Sequence, residues 1–222
     1  PQDMLKFEKL PGTIPNYAEE LKLIRTLRKD FGPDMPIIDT FFDPFQQVLR
    51  KAGFSAAKMI YGNKREALHM LDAVTHTVCA YMQELKQAGC DAVLYSINGA
   101  IAPPGDRGID DATFQTFLRP FDLRVLEAMQ GMVRILHVHG THVDMRRVLD
   151  YPVEVFSVSD RLAGNPSLAD LRKMTGKCLM GGINEQKIAE RSLPEIRAEM
   201  QDAVKQAGKR KFILAPGCTS PP

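Results

Sequence analysis

Apolar positions along this chain fall into two alternating rhythms. Short continuous apolar runs, which suit strands covered on both faces, alternate with longer stretches in which apolar residues recur every three or four positions, the stripe of a half-buried helix. Residues 17–29 place Leu21, Ile24 and Leu27 on one face with charges opposite and predict a helix. A strand follows at 36–42 and ends in DTFFDPF, where Pro44 suits the first turn of a helix running to about Gly53. Residues 63–89 predict a long helix, with Leu68, Leu71, Val74, Val78, Tyr81, Met82 and Leu85 at helical spacing, Asn63 as its N-cap and Gly89 as its C-cap. Residues 91–97 form the next apolar run. The Gly- and Pro-rich segment after it, NGAIAPPGDRG at 98–108, is longer than a simple connector needs to be. A helix is then expected from Asp110 or Asp111 to about Gln130, followed by strands at 133–139, 153–158, 178–183 and 212–216 with helical stretches such as 166–175 and 194–207 between them.

Six strands alternating with helices predict an α/β fold with a parallel sheet, either an open doubly wound sheet or a (β/α)8 barrel. The sequence holds neither a GxGxxG nor a GxxxxGK[ST] phosphate loop, which removes one argument for the open sheet. Polar residues instead gather after the strands: Asp43, Asn98, His139 with His142, Asp160 with Arg161, Asn184 with Glu185, and Cys218. A site drawn from the C-terminal ends of many strands is what a barrel mouth provides.

Composition narrows the function classes. With 222 residues, of which 44% are hydrophobic, the chain can bury a sizeable core, and we expect one domain over 1–222. Its 29 basic and 27 acidic residues are interspersed, which offers no stripe for nucleic acid or an anionic membrane. The absence of a long apolar run or a signal-like opening leads us to expect a cytoplasmic protein acting on a small-molecule substrate. Four cysteines without CxxC pairing suggest reduced thiols.

The stretch VRILHVHGTHVD, residues 133–144, carries three of the five histidines. Side chains alternate along a strand, so His137 and His139 share a face at a strand's end, a geometry suited to metal ligation or proton transfer. A lone histidine there would be a hydrogen-bonded core residue. His142 and Asp144 read as residues of a helix start, the histidine in a supporting role and the carboxylate in the first turn. Asp39 lies within an apolar strand, so it points into the mouth or has a partner. With Asp43, Tyr95, Asn98, Asp160, Asn184 and Glu185 it forms the candidate substrate-binding set, although strand-end polar residues also cap helices and Tyr95 suits core packing.

Several segments resemble the uroporphyrinogen decarboxylase superfamily, a barrel family that includes zinc-dependent corrinoid methyltransferases. DTFFDPFQQVLRKAG is similar to its third strand and following helix, AGCDAVLYS to its fourth strand, and FQTFLRPFDLRVLEAM to the next helix. LHVHG, GGIN and ILAPGC follow in the family's order. The resemblance implies a TIM-type barrel of which this chain holds about six strand-helix units, family strands 3 to 8. The first two units would then lie before Pro1 and the closing helix after Pro222. Such barrels typically need about 250 residues, so the chain would be a partial barrel with exposed apolar strand edges.

In the methyltransferase branch a His-x-Cys pair and a later Cys bind zinc, and the corresponding residues here are His137, His139 and Cys218. A histidine thus stands where the branch has its first cysteine. Imidazole is also a zinc ligand, and three protein ligands leave a fourth position for substrate. The resemblance implies that zinc would hold a substrate thiol as thiolate, which would take a methyl group from a methylcorrinoid such as methylcobalamin, delivered by a separate corrinoid protein. On that reading, the Cys218 sulfur should lie within about 4 Å of a ring nitrogen of His137 or His139. The rival implication is decarboxylation of uroporphyrinogen without a metal. It is weakened by Gly217, Cys218 and Thr219 where decarboxylases carry Gly-His-Gly, and by Arg50 where they carry a tyrosine. A metal- or corrinoid-binding barrel without turnover is the third reading.

Overall fold

The computed structural model describes residues 1–219. Its six strands, β1 (Ile38–Phe42), β2 (Ala92–Ile97), β3 (Val133–Val138), β4 (Val155–Val158), β5 (Cys178–Ile183) and β6 (Phe212–Pro216), follow one another in the sheet in chain order. Each is separated from the next by helical segments, so the fold is a parallel α/β arrangement. The outer strands β1 and β6 carry the exposed apolar edge positions that an incomplete barrel predicts, with Ile38 53% and Ile213 41% exposed. The chain divides into two compact units, Pro1–Tyr95 with Asp111–Arg134, and Ser96–Asp110 with the residues from Ile135 onward.

The first unit is built on its helices: α1 (Pro15–Phe31), α2 (Pro44–Ala52), α3 (Ala57–Gly62), α4 (Lys64–Gln87), α5 (Asp111–Phe117) and α6 (Arg119–Ala128). Helix α4 runs as its periodicity predicts. Leu71, Val78, Tyr81, Met82 and Leu85 are buried, each at most 1% exposed. Asn63 occupies the N-cap position, but its side-chain amide donates back to the Met59 carbonyl instead of capping α4. The helix expected from Asp110 or Asp111 to about Gln130 is two helices, broken at Leu118. Pro120, in the first turn of α6, has no N–H to offer an earlier turn, and its ring would crowd a continuous helix. Helix α3 and the 3-10 turn before it, Phe54–Ala56, lack a sequence signal strong enough to anticipate.

In the second unit, β3, β4, β5 and β6 are parallel neighbours in turn, and the register sets His137 beside Ser157. Helices α7 (Leu168–Met174) and α8 (Leu193–Ala207) follow β4 and β5. The Ser167 side chain caps α7, and Ser192 with Glu195 forms a reciprocal capping box on α8. Gly182 lets α8 approach the sheet closely, because a Cβ there would stand 2.5 Å from that of Ala203. The loop after β2 is pinned rather than loose: Arg147 donates to the carbonyls of Gly99, Ile101 and Ile109, and Ile101 bridges Val143.

Candidate metal centre

The strand ends of the second unit bring the chemistry together. His137 is the fifth residue of β3, and its Nδ1 lies 3.1 Å from the Ser157 hydroxyl on β4. That contact fixes the ring and leaves Nε2 with no hydrogen-bond partner among the described residues, in a residue only 5% exposed. His139, just past the strand, is held by its backbone N–H donating to the Ile97 carbonyl, and its ring centroid lies 5.7 Å from that of His137. Alternation along the strand puts both imidazoles on one face, as the spacing predicts. Cys218 arrives from the end of β6, where the Gly217 N–H donates to the Ile183 carbonyl. Its sulfur lies 3.5 Å from the His139 Nδ1, inside the 4 Å expectation.

These three side chains each offer a donor atom, and all three atoms lie within 4.8 Å of one another. A cation bonded at 2.0 to 2.3 Å in tetrahedral geometry holds its donors roughly 3.3 to 3.8 Å apart, so the widest spacing would close by about an ångström. The buried, partnerless His137 Nε2 is the observation that most favours a bound cation. A polar atom so placed is costly unless something satisfies it. The Cys218 thiol points the same way: the His137 and His139 rings beside the sulfur pull its pKa down to about 5 against the opposing effect of burial. Burial pushes the thiols of Cys79, Cys90 and Cys178 up instead. Cys79, Cys90, Cys178 and Cys218 are all free thiols.

A cavity of about 580 Å³ opens beside the cluster, with His139, Cys218, Asn98 and Glu185 in its wall. Two candidate substrate-binding residues, Asn98 and Glu185, are therefore brought to the three candidate ligands. Asn184, one position away, shapes the turn: its N–H donates to Glu199 Oε2, and its Oδ1 accepts the Gln186 N–H. Asp160 is engaged in the scaffold. Its Oδ1 accepts the Gly182 N–H at 2.7 Å and its Oδ2 lies 3.2 Å from the Arg161 guanidinium, which also reaches Asp202. Burial nevertheless raises the Asp160 pKa.

The other candidates lie in the first unit. Asp39 has a partner there, the Tyr81 hydroxyl donating to it at 3.2 Å, and burial raises its pKa to about 6. Asp43 caps α2 by accepting the Gln46 N–H, and Tyr95, fully buried, donates to Asp122. His142 is not at a helix start. It sits in a bend with φ +54°, ring against Gly164, outside the three-donor group. Asp144 does cap a short 3-10 turn, where it also pairs with Arg146.

The sequence matches the uroporphyrinogen decarboxylase (URO-D) family over residues 1–222. The chain belongs to that family. Among solved structures it resembles a methyltransferase from Methanosarcina mazei, with 21% identity and a TM-score of 0.76 over 90% of this chain and 58% of that one. It also resembles a putative vitamin-B12 independent methionine synthase from Listeria monocytogenes (14% identity, TM-score 0.59, 89% of this chain and 62% of the other). A B12-independent methionine synthase from a Shewanella species gives 14%, 0.56, 89% and 59%. No curated protein matches by sequence. The chain thus spans about three-fifths of the length of these structures. The likenesses establish the fold, a partial (β/α)8 barrel of the URO-D type.

Sequence reasoning missed Ser157, Ser159 and Asn165 of this URO-D family chain. The two serines had a signal, since Ser157 lies in an otherwise apolar strand and Ser159 stands two positions on, just past its end. Asn165 had none. Its amide braces the carbonyls of Gly140 and Ser159, and its Oδ1 accepts the Val143 N–H, long-range contacts that local pattern does not encode.

Proposed function

We propose that this chain carries the zinc centre of a methyltransferase that moves a methyl group between a methylcorrinoid and a thiol, with His137, His139 and Cys218 as the zinc ligands. The convergence of these donors at the ends of β3 and β6, with the His137 Nε2 bare and buried, carries the reading. Zinc bound there would supply the Lewis acidity that keeps a substrate thiol ionised at neutral pH. The chain's own residues do the rest. Ser157 holds the His137 ring through Nδ1 and so leaves Nε2 as the nitrogen available to a cation, and the backbone bonds of His139 and Gly217 hold the remaining two. The cavity beside Cys218 has room for a small thiol, with Asn98 and Glu185 in its wall. Overall, the S–H proton is released and an S–CH₃ bond forms as the bond from methyl to its carrier breaks.

Family membership and the names of the three similar structures, a methyltransferase and two methionine synthases, support methyl transfer to sulfur. Two of those names specify independence from vitamin B12, so the donor is where readings divide, and a corrinoid protein is the partner the proposed reaction requires. Elemental analysis tests the centre. We expect one zinc per chain, lost in both His137→Ala and Cys218→Ala, together with thiol methylation from methylcobalamin. A native protein without metal, or undiminished zinc in both variants, would overturn the reading. Release of carbon dioxide from uroporphyrinogen would replace it with the decarboxylase.

A further inference from the structure

Glu185 is a buried carboxylate that the metal centre does not use. It is 3% exposed and lies outside the three-donor group, yet it stands in the wall of the same cavity as Cys218 and His139. The turn that carries it is fixed on both sides, by Glu199 accepting the Asn184 N–H and by Asn184 accepting the Gln186 N–H. One oxygen, Oε1, accepts the Ser159 hydroxyl at 2.8 Å; the other, Oε2, has no hydrogen-bond partner among the described residues. That bare oxygen abuts Gly217, where a Cβ would come within 2.8 Å of it, so it lies against the residue next to the Cys218 thiol. A buried, unmatched carboxylate oxygen calls for a donor, and the cavity that Glu185 lines is where one would arrive. Arg107, the basic residue in that wall, is half exposed and within 3.6 Å of Asp106.

We propose that Glu185 anchors a positively charged group of the ligand, so that the cavity selects an aminothiol over a neutral or anionic thiol. This rests on the thiol chemistry proposed for the same cavity and adds the charge of the acceptor. The ammonium of a short aminothiol donates to Glu185 Oε2 while its sulfur lies at the metal centre.

The test uses the full chain loaded with cobalt(II), whose absorption reports both its ligands and an incoming sulfur. 2-Aminoethanethiol, 2-mercaptoethanol and 2-mercaptoethanesulfonate are titrated by absorption and by calorimetry. The aminothiol is expected to bind about tenfold more tightly than the alcohol, as a charge-assisted hydrogen bond implies, and the sulfonate most weakly. Glu185→Gln keeps the shape and should remove that preference while leaving the cobalt spectrum before thiol addition unchanged. Equal affinities in the native protein, or an unchanged ranking in Glu185→Gln, would overturn the proposal alone. A cobalt spectrum altered by Glu185→Gln before any thiol is added would make Glu185 a metal ligand and overturn it too. Native protein that takes up no cobalt would instead bring down the metal centre, and this proposal with it.

Discussion

Replacing Gly217 by alanine should damage the fold and the candidate metal centre together. A Cβ at that position would stand 2.5 Å from the Ser159 Cα and 2.8 Å from both the Ser159 hydroxyl and Glu185 Oε2. The first contact is with backbone, which cannot rotate away, so the end of β6 must shift. Overpacking of this kind costs about 1 to 3 kcal/mol. For a chain of this size each kcal/mol lowers the midpoint of thermal unfolding by about 2 to 4 °C, which gives a drop of roughly 2 to 12 °C. The shift also moves the next residue, Cys218, whose sulfur is 3.5 Å from His139 Nδ1. Thermal unfolding by circular dichroism reads the first effect, and the sulfur-to-cobalt absorption of cobalt-loaded protein reads the second. Gly176→Ala is the control, since nothing lies within 4 Å of its Cβ position and its φ is not in the left-handed region. An unchanged midpoint and an unchanged cobalt band in Gly217→Ala would refute the steric argument.

Three other outcomes are expected. Ser157→Ala removes the hydroxyl beside His137 Nδ1 and should weaken zinc binding about 10- to 100-fold in a chelator competition, without changing the ligand set. Iodoacetamide at pH 6.5 should alkylate Cys218 before Cys79, Cys90 and Cys178, because only its thiol is ionised there, and added zinc should protect it; peptide mass mapping reads the order. For Asp39, burial raises the folded pKa to about 6, so the fold holds the extra proton between about pH 4 and 6. Its contribution is fully present below the unfolded pKa and is lost as pH rises through about 6. Asp39→Asn should therefore flatten the fall in stability over that window and gain roughly 1 to 2 kcal/mol at pH 7, measured by urea unfolding at several pH values.

The alternation of strands and helices was legible because each strand here is a short apolar run closed by turn residues, and each long helix repeats its stripe. The break at Leu118 was not, since Phe114, Phe117, Phe121 and Val125 keep helical spacing through it and only Pro120 interrupts. Within the candidate centre, His137 and His139 were legible from spacing alone. Cys218 needed the family's strand order, because nothing local connects it to a histidine 79 positions earlier. Asp39, within β1, and Asp43, just after it, each have a partner in the first unit, one bonded to a tyrosine and the other capping a helix, and polarity alone does not name those partners. Glu185 was in the candidate set for its position. Only the structure shows that one of its oxygens is engaged and the other bare.

The 79-residue separation between His139 and Cys218 has a mechanical meaning. A cation held by both would tie the ends of β3 and β6 into a ring enclosing β4, α7, β5 and α8, as a covalent staple would. Cross-links over loops of this length restrict the unfolded chain by about 4 kcal/mol in the simplest chain-entropy account. An ion proposed to prepare a thiol for chemistry would then also govern how easily these strands part, and its removal would expose the second unit to proteolysis.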